Sequence, residues 1–260
     1  MAEKGKKVPM IETRALTKKF PHRDAAGRST EKTAVDALSL SVGRGEIFGL
    51  LGPKGAGKTT TIRMLTLLLS PTAGEIFYDG QSVSGHEQAI KSLIGVVPQH
   101  VNFDQDLTVG ENMELHARLH HLGRHEREAR IRELLSYVEL TDVKNDGVRR
   151  LSGGMKRRLL IVRALIHRPR VLFLDEPTVA LDPQVRRRIW ALAEELKAQG
   201  VTIFLTTHYI EEAEALCDHV AMLSKGKLVD LDTPAHYLAK TGLASLEDVF
   251  LKLTGKKVTA

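Results

Sequence analysis

The chain is short of cysteine, aromatic residues and long apolar runs, and each shortage excludes something. Its single cysteine, Cys217, rules out an intramolecular disulfide and any cysteine-based metal cluster, and suits a reducing, cytoplasmic compartment. No stretch approaches the roughly 20 apolar residues of a membrane span. The charged start Met1-Ala2-Glu3-Lys4-Gly5-Lys6-Lys7 leads into no apolar segment of signal-peptide length. Any role at a membrane is therefore expected to go through a partner. Aromatic residues make up 5%, and none is interleaved in the basic runs Lys156-Arg157-Arg158 and Arg186-Arg187-Arg188. Those runs lack the stacking platforms of a nucleic-acid groove and read as solvated or subunit-facing charge. No internal repeat or low-complexity tract is present.

What the chain does have is length and positive charge. Its 260 residues suffice for one large domain, or a domain with a sub-domain, burying roughly 70–75% of the unfolded surface. Lys and Arg number 38 against 32 Asp and Glu, a net charge of +6 that suits an anionic ligand or membrane surface as well as ordinary surface charge.

The most informative stretch is Gly52-Pro53-Lys54-Gly55-Ala56-Gly57-Lys58-Thr59-Thr60. It follows the apolar run Glu46-Ile47-Phe48-Gly49-Leu50-Leu51 and precedes the helix-like Thr61–Leu68, so it reads as strand, glycine-rich loop and helix start. Glycines at 52, 55 and 57 let successive N–H groups turn inward around a polyanion without Cβ clashes, and the following helix adds its positive end. Lys58 would reach the β- and γ-phosphates, and the Thr59 hydroxyl would ligate Mg²⁺.

Around this loop the chain alternates between strand and helix. Ile11–Phe20 and Thr33–Val42 read as strands flanking the nucleotide strand, separated by a polar loop from Pro21 to Lys32. Glu75–Gly80 and Gly95–Gln99 read as strands, with a short helix over Glu87–Leu93 between them. From Thr108 to Val138 the apolar spacing is helical, an inserted block of two helices. The alternation resumes with the strand Val171–Leu174, a helix over Pro183–Gln199, the strand Val201–Leu205 and a helix over Ile210–Cys217. A strand pair turns at Lys225-Gly226, helical pieces follow at Pro234–Lys240 and Leu246–Leu253, and a short tail begins at Gly255.

Several further stretches carry chemistry. Val171-Leu172-Phe173-Leu174-Asp175-Glu176 is an apolar strand ending in two carboxylates, of which Asp175 would hold Mg²⁺ through water and Glu176 would polarise an attacking water. Leu151-Ser152-Gly153-Gly154-Met155 leads into a helix over Lys156–His167 and makes a second glycine-rich anion site. One nucleotide does not need two such sites, so this loop is expected to cap a nucleotide held by another copy of the chain; a plain N-cap by Ser152 is the alternative. Gln99, at a strand end, could reach Mg²⁺ or the attacking water, and His208, after Thr206-Thr207, could contact the γ-phosphate. His116, His120, His121 and His125 have helical spacing, but without H-E-x-x-H and with Arg118, Arg124 and Arg127 nearby they read as a solvated helix face rather than a zinc site.

With these residues in view, the chain from Ile11 to Leu253 resembles the nucleotide-binding subunit of an ABC transporter. The phosphate loop matches at Gly52–Thr60, the glutamine loop at Gln99, the signature at Leu151–Met155 and the acidic strand at Val171–Glu176. The dimer-contact loop falls on Ala180-Leu181-Asp182 and the histidine switch on His208, while Phe20 stands where the family stacks an aromatic ring on adenine. The resemblance implies an α/β P-loop NTPase fold with a RecA-like parallel-sheet core, an antiparallel β sub-domain and an inserted α-helical sub-domain. It places the core and β sub-domain at 8–98 and 166–232, the helical sub-domain at 99–165 and a C-terminal helical extension at 233–260, all within one ABC ATPase domain.

Under this resemblance Glu176, His208, Lys58 and Gln99 are catalytic. Phe20, Gly52 to Thr60, Ser152, Gly153, Gly154 and Asp182 bind ATP, and Thr59, Gln99 and Asp175 hold Mg²⁺. The implied partners are ATP, a second copy of the chain and an integral-membrane permease that holds the subunit on the inner face of the cell membrane, with no nucleic acid. Pro71-Thr72-Ala73-Gly74-Glu75, Thr207 to Glu214 and Leu246 to Phe250 resemble the daunorubicin-exporter-like branch, whose members commonly drive export. A soluble ABC-type ATPase acting on nucleic acid or ribosomes is the alternative, but such proteins typically carry coiled coils, zinc modules or tandem cassettes that this chain lacks. Lys54 replaces a common Asn, Met155 the signature Gln, and Ala180 a common Gly or Ser; of these, Lys54 bears on ATP affinity.

Overall fold

A computed structural model describes residues 8–23 and 29–255. The charged start, the middle of the polar loop at 24–28 and the tail after Gly255 lie outside the described residues. Three apolar runs, β3 (Ile47–Leu51), β7 (Val171–Asp175) and β8 (Thr202–Thr207), are buried along their whole length. Such runs belong in the middle of a parallel sheet covered on both faces. They lie side by side in a six-stranded sheet ordered β10-β9-β3-β8-β7-β6, completed by β6 (Ile94–Val97), β9 (His219–Ser224) and β10 (Lys227–Asp232). All neighbours are parallel except β9 and β10, which form the hairpin turning at Lys225-Gly226.

Alternation along these strands divides the interior in two. Ile47, Leu51, Leu172, Leu174, Ile203 and Leu205 face one core, while Phe48, Leu50, Val171, Phe173 and Phe204 face the other. The first core also takes Met113 and Ala117 of α3 (Val109–Leu119), Leu134 and Leu135 of α4 (Arg124–Tyr137) and Leu159 and Leu160 of α5 (Gly153–Ala164). Of these helices α5 packs against β6, and α3 and α4 pack on one another and on α5 within the same core. Tyr237 of α8 (Pro234–Thr241) and Phe250 of α9 (Leu246–Thr254) are buried in the same core, and the Tyr237 hydroxyl donates to the Val220 carbonyl at 3.1 Å.

The second core lies under a separate antiparallel sheet ordered β2-β1-β4-β5, built from β1 (Ile11–Arg23), β2 (Ser29–Val42), β4 (Ala73–Tyr78) and β5 (Gln81–Ser82). The expectation that the first two strands flank the nucleotide strand is therefore wrong: β3 pairs with β8 and β9 instead. The polar loop also shrinks, because β1 and β2 run on past the apolar residues, pairing Phe20 with Lys32 and Arg23 with Ser29. A solvated hairpin satisfies its backbone by pairing and needs no apolar period.

The histidines of the inserted block divide. His120, the C-cap of α3, stacks on His167 with ring centroids 3.7 Å apart, and His116 meets His120 edge-on at 5.0 Å, so His116 and His120 face the protein rather than solvent; His121 and His125 are exposed. His167 is tied to β6 by a 3.0 Å bond between Nε2 and the Ile94 carbonyl. Burial, with Arg163 and neighbouring rings adding to it, pushes His116 down to about 4, and burial chiefly does the same to His167.

Two tests follow from these features. Below the unfolded value near 6.5 the unfolded chain takes up protons that folded His116 and His167 refuse. Stability is therefore fully present above that value and falls as the pH drops towards about 4. Urea midpoints measured across this window should fall less steeply in a His116→Asn/His167→Asn variant. In the loop after β7, Ala180 has φ 60, a left-handed conformation that strains a Cβ. Ala180→Gly is expected to raise the unfolding free energy by about 1 kcal/mol in the same titration.

Candidate functional site

The C-terminal ends of β3, β8, β7 and β6 lie along one sheet edge, where open α/β sheets bind ligands. Register pairs Leu51 with Thr207 and Asp175 with Thr206, so the phosphate loop, the acidic pair and His208 emerge side by side. Gln99 follows from β6.

The three loop glycines serve different ends. A Cβ on Gly52 would sit 2.4 Å from the Leu223 carbonyl oxygen, so this position needs close approach. Gly55 and Gly57 need left-handed backbone, at φ +80 and +109. α1 (Lys58–Leu65) starts at Lys58, earlier than Thr61, because the polar Lys58-Thr59-Thr60 opens the helix without contributing to its apolar period. With no side-chain cap and no acidic residue in the first turn, its leading N–H groups and positive end remain open to an anion.

The four residues expected to be catalytic meet at one carboxylate. Glu176 Oε1 lies 3.2 Å from Lys58 Nζ, while Oε2 accepts from Gln99 Nε2 at 2.9 Å and lies 3.4 Å from His208 Nδ1. The buried Lys58 head also donates to the carbonyls of Gly52 and Pro53, at 2.7 and 3.2 Å. Burial lowers its pKa, and Glu176 acts in the opposite direction. Glu176 itself has φ 46, a strained backbone conformation for a residue with a side chain.

Asp175 stands one residue back, with Oδ1 accepting from Thr206 Oγ1 at 2.6 Å and from Thr59 Oγ1 at 3.3 Å. Burial raises the Asp175 pKa against these two hydrogen bonds. Thr206 also receives the Glu176 N–H at its hydroxyl, so it braces both carboxylate residues. The sequence reading gave it no role, although two threonines closing an otherwise apolar strand were a visible signal.

An open cleft of about 800 Å³ runs over this edge, lined by Lys54, Gly55 and Gly57 to Thr60 of the loop together with Gln99, Glu176 and His208. Phe20 reaches its lining from the hairpin, 37% exposed and with Lys18 Nζ over its ring at 5.4 Å from the centroid. Gly52, Pro53, Ala56 and Asp175 are not among the lining residues. Lys32 and Lys225 join Lys54 and Lys58 in its lining and were not anticipated; Lys225 comes from the β9–β10 turn.

Ser152, Gly153, Gly154 and Asp182 do not line this cleft. The helix α5 begins at Gly153 rather than Lys156, and Ser152 caps it by accepting the Met155 N–H at 3.2 Å. Asp182 likewise caps α6 (Pro183–Ala198) through the Val185 N–H at 2.9 Å. A Cβ on Gly154 would meet the Val185 side chain at 3.0 Å, so these two helix starts are packed together.

The basic run beside the signature needs a correction. Arg157 is buried at 5% exposure rather than solvated, and donates to main-chain carbonyls of the Gln99 and Glu176 segments. Burial lowers its guanidinium to about 10, still a cation at neutral pH. The signal was helical: Leu160, Ile161 and Ala164 share the buried side of the helix with it. Among the described residues no cluster of His, Cys, Asp and Glu is arranged to hold a metal by itself.

Residues 35–179 match the family described as ABC transporter. A Nod factor export ATP-binding protein I from Ralstonia nicotianae is 46% identical over 207 residues, covering 80% of this chain and 64% of the relative. A daunorubicin resistance ATP-binding protein from Streptomyces coeruleorubidus is 43% identical over 232 residues, covering 89% and 73%. The chain thus spans roughly two thirds of the length of such relatives. A solved ATP-binding subunit of an ABC transporter superposes with a TM-score of 0.81 at 28% identity, covering 94% of this chain and 99% of that one. A dimeric ATP-binding cassette in a post-hydrolysis state, bound to ADP and Pi, superposes with 0.77 at 28% identity, covering 86% and 98%. The fold, the loop and the shared sequence agree: the chain belongs to the ABC transporter family, as one of its ATP-binding subunits.

Proposed function

We propose that this subunit hydrolyses ATP in a head-to-tail dimer and drives export through a separate membrane permease. The observation that carries the reading is the meeting of Lys58, Gln99 and His208 on the Glu176 carboxylate beside an open phosphate loop. Export is supported by the names of the Nod factor and daunorubicin relatives, and the dimer by the dimeric cassette. No described helix is long and apolar enough to cross a membrane, so in this reading the permease supplies the attachment at the inner face.

The triphosphate lies along the loop, with Phe20 against the adenine and the N–H groups of Gly55 to Thr60 on the phosphates. Lys58 turns from Glu176 to the β- and γ-phosphates, which frees Oε1 to orient a water. As that water's oxygen bonds to the γ-phosphorus and the bond to ADP breaks, its proton passes towards Glu176, while Gln99 and His208 hold water and phosphate in line. Thr59 Oγ1 and Asp175 Oδ1, 3.3 Å apart, are hard oxygen donors suited to Mg²⁺, with the Gln99 amide oxygen as a third. An ion held there would neutralise charge on the phosphate oxygens. Ser152, Gly153, Gly154 and Asp182 close the cleft of the second copy, which explains their distance from their own.

Glu176→Gln is expected to retain ATP binding, to lose at least about 100-fold in turnover, and to accumulate as an ATP-bound dimer in size-exclusion chromatography. Near-normal hydrolysis by that variant refutes the assignment. Lys54, exposed at the cleft, adds a cation near the phosphates, and at about 8 Å this is worth roughly 0.5–2 kcal/mol before screening. Lys54→Asn should therefore weaken ATP binding about 2- to 5-fold at low ionic strength, with the difference shrinking as salt is added.

A further inference from the structure

Five main-chain carbonyls receive hydrogen bonds from one side chain, that of Arg157. Nε donates to Pro177 at 2.6 Å, Nη1 to Pro98 at 2.7 Å and Gln99 at 3.2 Å, and Nη2 to Asp175 at 3.1 Å and Glu176 at 3.0 Å. No carboxylate oxygen is among these acceptors, so the fork is not there to pair with a charge. A planar guanidinium with fixed donor directions suits a different task, holding separate segments at set spacing.

Three segments meet at this fork. The stretch after β6 bears Gln99, the end of β7 bears Asp175 and Glu176, and α5 supplies Arg157 and begins at the Ser152 cap. Glu176 depends on such a hold more than its neighbours do, because its φ is 46. Its N–H is held by the Thr206 carbonyl and hydroxyl, each at 3.1 Å, and its carbonyl by Arg157. Gln99, whose amide meets the Glu176 side chain at 2.9 Å, has its own carbonyl on the same fork. Arg157 therefore grips both backbones whose side chains must meet, while lying outside the cleft lining.

We propose that Arg157 is a positioning residue for ATP hydrolysis, locking the Glu176 and Gln99 backbones to the helix that carries the Ser152 loop. The loop that faces a second subunit and the carboxylate that orients water are then linked through this one side chain. This rests on Glu176 orienting the water, and it adds a route by which closure on the other copy's nucleotide is felt at this copy's own site. Because Arg157 touches neither phosphate nor base, it acts on kcat and leaves ATP affinity alone.

The test measures steady-state ATP hydrolysis and ATP binding on the full chain, for Arg157→Gln, Arg157→Lys and Arg157→Ala beside the unaltered protein and Glu176→Gln. Arg157→Gln and Arg157→Lys are expected to lose about 10- to 100-fold in kcat, with the Kd for ATP within about twofold. Millimolar guanidinium should restore part of kcat to Arg157→Ala, by filling the five-carbonyl cage, and none to Glu176→Gln. Unchanged kcat in the Arg157 variants, or ATP binding lost in step with kcat as in a folding defect, overturns the positioning role and leaves the Glu176 assignment standing. Normal turnover in Glu176→Gln overturns that assignment, and this proposal with it.

Discussion

A strand buried along its whole length can end in two carboxylates only if its register is fixed, and β7 is such a strand. Val171 and Phe173 face one core and Leu172 and Leu174 the other, so neither face distinguishes one register from the next. What fixes it is the cost of error. A one-residue slip inward would draw Asp175 into the core without Thr206 and Thr59, and an unpaired buried carboxylate is costly enough to forbid it. The apolar run and its polar stop together set the depth of Asp175 and Glu176, and the rest of the site is built to that depth.

The two layers on either side of β7 stand differently to the cleft. Phe20 and Lys32 reach its lining on the antiparallel hairpin, whose sheet covers one core; α5 packs with the inserted helices in the other core and lines no part of the cleft. Thr206 links the two acidic residues to β8, and Arg157 links them to α5. Shared apolar packing holds both layers on the sheet, while these polar bridges tie the carboxylate residues to β8 and α5.

Much of this was legible in the residues, and what escaped notice has a physical reason. Wholly apolar strands, glycine punctuation and the carboxylates at Asp175 and Glu176 are local signals, which is why β7, β8 and the phosphate loop were found in place. Pairing partners are not local: the period of β1 and β2 showed strands but could not show that they lie in a second sheet. Helix starts at Lys58 and Gly153 were placed late because first turns rich in Gly, Lys and Thr carry little apolar period. Arg157 was read by its charge, although the apolar residues three, four and seven positions on already placed it on a buried face. The histidines illustrate the same error, since helical spacing gives a face but not what covers it.

Charge in the cleft is arranged rather than merely abundant. Lys32, Lys54, Lys58 and Lys225 come from three segments, β2, the phosphate loop and the β9–β10 turn, and only Lys58 is buried with a carboxylate partner inside the site. The three outer lysines keep their hydration and lend a long-range, salt-screened attraction for any polyanion. Lys58 has been stripped of water and is held by two carbonyls and Glu176, so it gains more from a phosphate than a hydrated lysine could. Binding at such a site requires exchange of one anion for another. In the proposed reading, the phosphate that takes Lys58 from Glu176 also releases the carboxylate, so substrate arrival and the freeing of the water-orienting group become a single event.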